Sequence, residues 1–121
     1  MLDHIIITVE DYAKSREFYE KALAPLGYQV GMEFGQGCGF SILEKPDFWI
    51  RQGEKLTPHI HVAFTSRDHE AVDSFYAAAL AAGGTDNGAP GLREDYHPNY
   101  YGAFVLDPDG HNIEAVCHRP Q

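Results

Sequence analysis

The chain is poor in thiols, in basic charge and in long apolar runs. Cys38 and Cys117 are its two cysteines in 121 residues. They stand at no metal-type spacing and make no disulfide framework, so both are expected to be free thiols. Nine basic side chains face eighteen acidic ones, a formal charge of −9. That balance argues against nucleic acid or an anionic membrane as partner and leaves a small-molecule substrate or ligand as the default. No run approaches the roughly 20 apolar residues of a membrane span, and the chain opens without the basic and apolar regions of a secretory signal. The expected location is therefore cytoplasmic. What is present suffices for one domain over residues 1–121, which at this length buries roughly two thirds of the surface its unfolded chain exposes.

Leu2 to Val9 alternates Ile5, Ile7 and Val9 with His4, Ile6 and Thr8, a strand with one apolar face and a histidine on the other. Thr8 and Asp11 make a capping-box-like helix start, and Tyr12, Ser15, Tyr19, Ala22 and Leu26 recur every three or four residues until Gly27. Three short β-like runs follow: Tyr28 to Phe34, Gly39 to Leu43 and Phe48 to Arg51.

The order then starts again. At an offset of 57, His61, Thr65, Asp68, Phe75, Tyr76, Ala79, Leu80, Ala81 and Gly84 repeat His4, Thr8, Asp11, Phe18, Tyr19, Ala22, Leu23, Ala24 and Gly27, nine identities in 24 positions without a gap. This is an internal duplication of a βαβββ unit, over about residues 1–53 and 58–118. The second unit closes on a hairpin, Tyr101 to Leu106 and His111 to Cys117, around the turn Asp107-Pro108-Asp109-Gly110. Gly83 to Tyr101, between helix and hairpin, is rich in glycine and holds Tyr96, His97, Tyr100 and Tyr101. It reads as a binding loop or lid.

With the apolar strand faces against the helices, the opposite faces carry His4, its repeat equivalent His61, and Glu114 on the last strand. Two imidazoles and a carboxylate on strands form the protein part of a divalent-metal site with open positions. His59 shares a face with His61 and is a rival, though its repeat counterpart is Leu2. His111 faces with Ile113 and reads as a polar residue flanking the turn. Phe18, Tyr19, Phe75 and Tyr76 are expected in the core, and one of Phe48 and Trp49 on the free face.

The segments LDHIIITV followed by a helix ending in FYEKAL, HVAFTSRDHEAVDSFY, and FVLDPDGHNIEAV together resemble the vicinal oxygen chelate superfamily, which includes glyoxalase I, the fosfomycin- and bleomycin-resistance proteins and the extradiol dioxygenases. The resemblance spans essentially the whole chain. It implies an α+β fold in which two tandem βαβββ modules form a cup-shaped mixed sheet with helices on the outer face. It also implies a divalent ion (zinc, manganese, iron, nickel or cobalt) on His4, His61 and Glu114. A lyase, isomerase, transferase or dioxygenase reaction and a homodimer follow as expectations. Glyoxalase I carries a further Glu ligand near the end of the first unit, where this chain has Arg51 or Gln52. The extradiol enzymes place a tyrosine about ten residues before the final Glu, where this chain has Phe104. Tyr100, Tyr101 and His97 are the candidates for orienting substrate or moving a proton. The alternative reading is a metal-free module that sequesters a drug or metabolite.

Overall fold

The computed structural model describes residues 1–120. The first unit runs β1 (Ile5–Val9), α1 (Tyr12–Leu23), a 3₁₀ turn (Ala24–Leu26), β2 (Gln29–Phe34), β3 (Gly37–Ser41) and β4 (Phe48–Gln52). The second runs β5 (His61–Thr65), α2 (His69–Ala81), β6 (Thr85–Leu92), β7 (Tyr101–Leu106) and β8 (Asn112–Cys117). Each unit makes a four-stranded mixed sheet, ordered β1-β4-β3-β2 and β5-β8-β7-β6. β1 pairs parallel with β4 and β5 with β8, while the remaining pairs are antiparallel. The fold is α+β with a duplicated βαβββ order, and its two sheets are separate and do not close into one cup.

Local chemistry accounts for the helix ends. Asp11 and Asp68, equivalent in the repeat, are extended N-caps whose carboxylates accept from Lys14 N at 3.1 Å and Ala71 N at 2.7 Å. These side chains satisfy amide groups the helices cannot. Thr8 lies inside β1 rather than in the cap. Pro25 has no amide hydrogen for an α-helical bond, and the last turn of the first helix tightens to 3₁₀.

One apolar core runs through both units. Ile7, Val9, Phe18, Tyr19, Phe48 and Ile50 of the first join Phe64, Val72, Phe75, Ala103, Val105, Ile113 and Ala115 of the second. Phe64 of β5 crosses into the first unit, with ring centroids 5.3 Å from Phe48 and 5.4 Å from Tyr28, both edge-on. The helices touch each other as well as their own sheets. A polar link also joins the halves: Tyr19 of α1 donates its buried hydroxyl to Asp107. Asp107 further accepts from Asp109 N at 2.9 Å and His111 N at 2.8 Å, which fixes the hairpin turn.

Three expectations change. Thr85–Leu92 is a strand and not part of a lid, because tertiary pairing with β7 overrides a run of Gly, Pro, Asp and Asn that is poor in β-formers. His111 is fully buried, its Nδ1 accepting from Ile60 N at 3.2 Å, so it belongs to the core side of the hairpin as Ile113 does. Tyr76 is half-buried and donates to Asp86 at 3.0 Å, whereas its repeat equivalent Tyr19 is fully enclosed.

Candidate functional site

Strand alternation sets which side chains leave the core. On β8, Ile113, Ala115 and Cys117 turn inward, which sends Asn112, Glu114 and Val116 to the other face. On β7, Ala103 and Val105 are inward and Gly102 and Phe104 outward. On β5, Phe64 is inward and His61 outward. The register places Glu114 between Ala63 and Phe104, and His61 beside Asn112.

The result is a compact polar group on the second sheet. His61 Nε2 donates to Glu114 Oε1 at 2.7 Å, and the Tyr100 hydroxyl donates to Oε2. The Glu114 side chain is 1% exposed and that of His61 51%. An imidazole open to the surroundings thus sits above a carboxylate that is not. Gly102 makes the geometry feasible, since a Cβ there would stand 3.2 Å from Tyr100 Cε1 and 3.3 Å from Glu114 Oε2. Burial, and then the hydrogen bond to Glu114, push the Tyr100 phenol up from its ordinary value. At neutral pH it keeps its proton and acts as a donor. The Phe104 ring lies 6.0 Å from the His61 ring and forms the adjoining floor.

The other candidates fall elsewhere. His4 precedes β1, and its Nδ1 lies 2.6 Å from Asp3 Oδ1. Among the described residues, no group of three or more His, Cys, Asp or Glu side chains stands close enough to hold a metal ion. Within one chain His61 and Glu114 come together, and His4 does not join them. Tyr101 points to the helix side, donating to Asp73 at 2.6 Å and stacking on His69 at 3.8 Å. His97 is exposed in the turn after β6, where Nδ1 accepts from Asn99 N at 3.1 Å and the ring lies 5.4 Å from His118. His59 packs edge-on to His111 at 6.0 Å. Arg51 donates to Thr8 at 3.2 Å, and Gln52 accepts from Tyr12 N at 2.6 Å.

His4 instead borders an apolar hollow of about 450 Å³ on the first sheet, with Ile6, Met32, Phe34, Pro46 and Trp49. Trp49 lies 5.9 Å from Phe34, and Met32 and Phe34 are 50% and 63% exposed. Its partner in sequence, Phe48, is in the core, as strand alternation requires.

A model of the glyoxalase/bleomycin resistance protein/dioxygenase superfamily matches residues 1–115. The chain belongs to this superfamily. A glyoxalase/bleomycin resistance protein from Albidiferax ferrireducens T118 is similar at 30% identity over 99% of both chains, with a TM-score of 0.82. The fold also matches a superfamily enzyme from Burkholderia phytofirmans PsJN, at 19% identity and a TM-score of 0.72 over 97% of this chain and 98% of the other. It matches the fosfomycin resistance protein FosX from Mesorhizobium loti, at 22% identity and a TM-score of 0.70 over 97% of this chain and 91% of the other. No helix among the described residues is long and apolar enough to cross a membrane.

Proposed function

We propose that this superfamily member is a divalent-metal-dependent enzyme acting on a small oxygenated molecule, and that its site is shared between two copies of the chain. The observation that carries the reading is Glu114. A carboxylate this deeply enclosed is costly to bury without positive charge or strong donors beside it. Among the described residues no lysine or arginine pairs with it; an imidazole and a phenol do. The donor set suits a divalent ion, with nitrogen from His61 and oxygen from Glu114. When bound, the ion supplies Lewis acidity that stabilises negative charge on a chelated substrate oxygen.

The chain's own groups do the rest. His61 and Glu114 hold the position from adjacent parallel strands. Tyr100, protonated at neutral pH, would offer its hydrogen to a substrate oxygen. His97 and Tyr101 are less directly placed for substrate than Tyr100: a role for His97 requires movement of the 93–100 turn, and Tyr101 faces α2 from within β7. His4, at the margin of the apolar hollow on the first sheet, supplies the third ligand to the site of a second copy. In that homodimer the hollow of one protomer faces the polar group of its partner, which assembles a cup from two half-cups and covers the exposed Ile6, Met32 and Phe34.

The test is metal content. Purified protein should hold about one equivalent of ion per chain, and His61→Ala should lose it while keeping its fold. If the parent stays metal-free after incubation with zinc, manganese, nickel and anaerobic ferrous iron, the metal reading fails. The apolar hollow with Trp49 would then favour the second reading, a module that binds a small apolar molecule without metal. In that case His61→Ala would leave ligand affinity unchanged.

A further inference from the structure

Arg93, just past β6, lies against the same face as His61, Glu114 and Tyr100. Its Cζ stands 5.3 Å over the centre of the Phe104 ring, and the same ring lies 6.0 Å from that of His61. Two backbone carbonyls fix it: Nη1 donates to Gly91 O at 2.9 Å and Nη2 to Ala89 O at 2.8 Å. The backbone leaves room for this. Gly88 is paired with Phe104 at an irregularity of the ladder, and a Cβ there would stand 2.9 Å from Phe104 Cδ1 and 3.3 Å from Arg93 Nη2. With φ at +148° the position also suits glycine over other residues.

The guanidinium is therefore held in place but not neutralised. None of the ion pairs among the described residues includes Arg93, although the chain carries twice as many acidic as basic side chains. Its neighbours Glu94 and Asp95 are exposed, and neither forms an ion pair with it. Of the five N–H donors of a guanidinium, the two carbonyls occupy two and leave three. The cation–π contact with Phe104 holds the guanidinium in place without supplying a counter-charge. Burial first, and then the hydrogen bond to Glu114, push the Tyr100 phenol up, and the Arg93 charge acts weakly against them.

We propose that Arg93 is the anion-binding residue of the site. The substrate class is a small oxyanion, a carboxylate or a phosphate-type group, whose charge the guanidinium takes up while another oxygen of the molecule reaches the position held by His61 and Glu114. The inference rests on the reading above for the second of those contacts and on Arg93 alone for the first. A purely structural arginine, tying the bulged β6 to itself, is the rival account.

Two probes test it, inorganic phosphate and malonate, titrated into ¹⁵N-arginine-labelled protein with and without added zinc. The Arg93 Nε–Hε signal of the parent should move on titration with at least one probe. Arg93→Gln should bind that probe about tenfold more weakly or worse, as expected for a lost charge-assisted contact, with zinc equivalents unchanged. Arg93→Lys keeps the charge without the fork and should fall between; it decides the matter if the glutamine variant does not fold. No movement of the signal with either probe, or equal affinity in parent and variants, overturns the inference. If the parent takes up no metal yet shows the Arg93-dependent anion binding, the metal reading fails and this one stands. If zinc binds through His61 and Glu114 while Arg93 proves indifferent to both anions, the reverse holds.

Discussion

In the first half of the chain, the sheet face turned from the helices carries Ile6, Met32, Phe34 and Trp49, with one imidazole, His4, at its margin. In the second half the equivalent face carries His61, Glu114, Tyr100 and Phe104, with Arg93 laid across it. The duplicated positions that persist are the helix caps Asp11 and Asp68, the aromatic pairs on α1 and α2, and the histidines ahead of or at the first strand. The caps and aromatics are the residues that make the unit fold, whereas the histidines stand exposed. The free faces are not bound by the core, so one has become apolar and the other polar. Each is half of what a buried polar site needs: donors on one side, a water-excluding wall on the other.

The two halves depend on each other most where they interlock. Phe64 sits on the second sheet but packs among first-half rings, so Phe64→Ala should cost about 3–5 kcal/mol in chemical denaturation. The loss should appear in probes of both halves at once. If only the second half loosens, the shared core is not cooperative.

Tyr19 and Tyr76 are equivalent in the repeat and unequal in the fold. Tyr19→Phe removes a buried donor from the enclosed Asp107 and should cost about 1–3 kcal/mol. Tyr76→Phe removes an outer contact to Asp86 and should stay within about 0.5 kcal/mol. Equal losses would mean that the duplicated positions do the same work.

The smallest difference lies in the turns. Asp47, after Pro46, is exposed and accepts from Tyr28 Oη at 2.9 and 3.1 Å. Asp109, after Pro108, has one buried oxygen without a partner, and burial, followed by the nearby Asp107 charge, raises its carboxyl above the ordinary value. A raised carboxyl in the folded state binds its proton more tightly than in the unfolded chain. Its contribution to stability is therefore largest in acid and is lost as pH rises through the raised value. Asp109→Asn should stabilise by under about 1 kcal/mol at pH 7, with the gain fading toward pH 3, while Asp47→Asn should show no such gain. Thermal melts across that range measure both.

Much of the frame was legible from alternation and repeat. The two units, both helices and the β7–β8 hairpin follow from period-two and period-four patterns and from the Asp-Pro-Asp-Gly turn. β6 was not legible, because Thr85–Leu92 becomes a strand through its partner rather than through its own composition. Alternation also held unused information. Tyr101 shares parity with buried Ala103 and Val105 and so faces α2, while Tyr100 shares parity with Gly102 and Phe104 and so meets Glu114. The same rule puts His111 with Ile113 on the core side. Arg93 left no signal, since nothing in Leu92-Arg93-Glu94-Asp95 shows that the guanidinium would turn from its acidic neighbours onto Phe104. The separation of His4 from His61 was equally hidden, because equivalence within a repeat fixes places on two sheets and says nothing of how the sheets meet.

In the proposed metal site, His4 comes from one copy and His61 with Glu114 from the other. Co-expression of His4→Ala and His61→Ala chains tests it most directly, by metal equivalents after dialysis against a weak chelator. In mixed dimers, sharing across the interface rebuilds one complete site of the two. About a quarter of the parent's metal should then return in a random mixture, though neither variant alone retains any. A mixture that holds no more metal than its two components would contradict the claim.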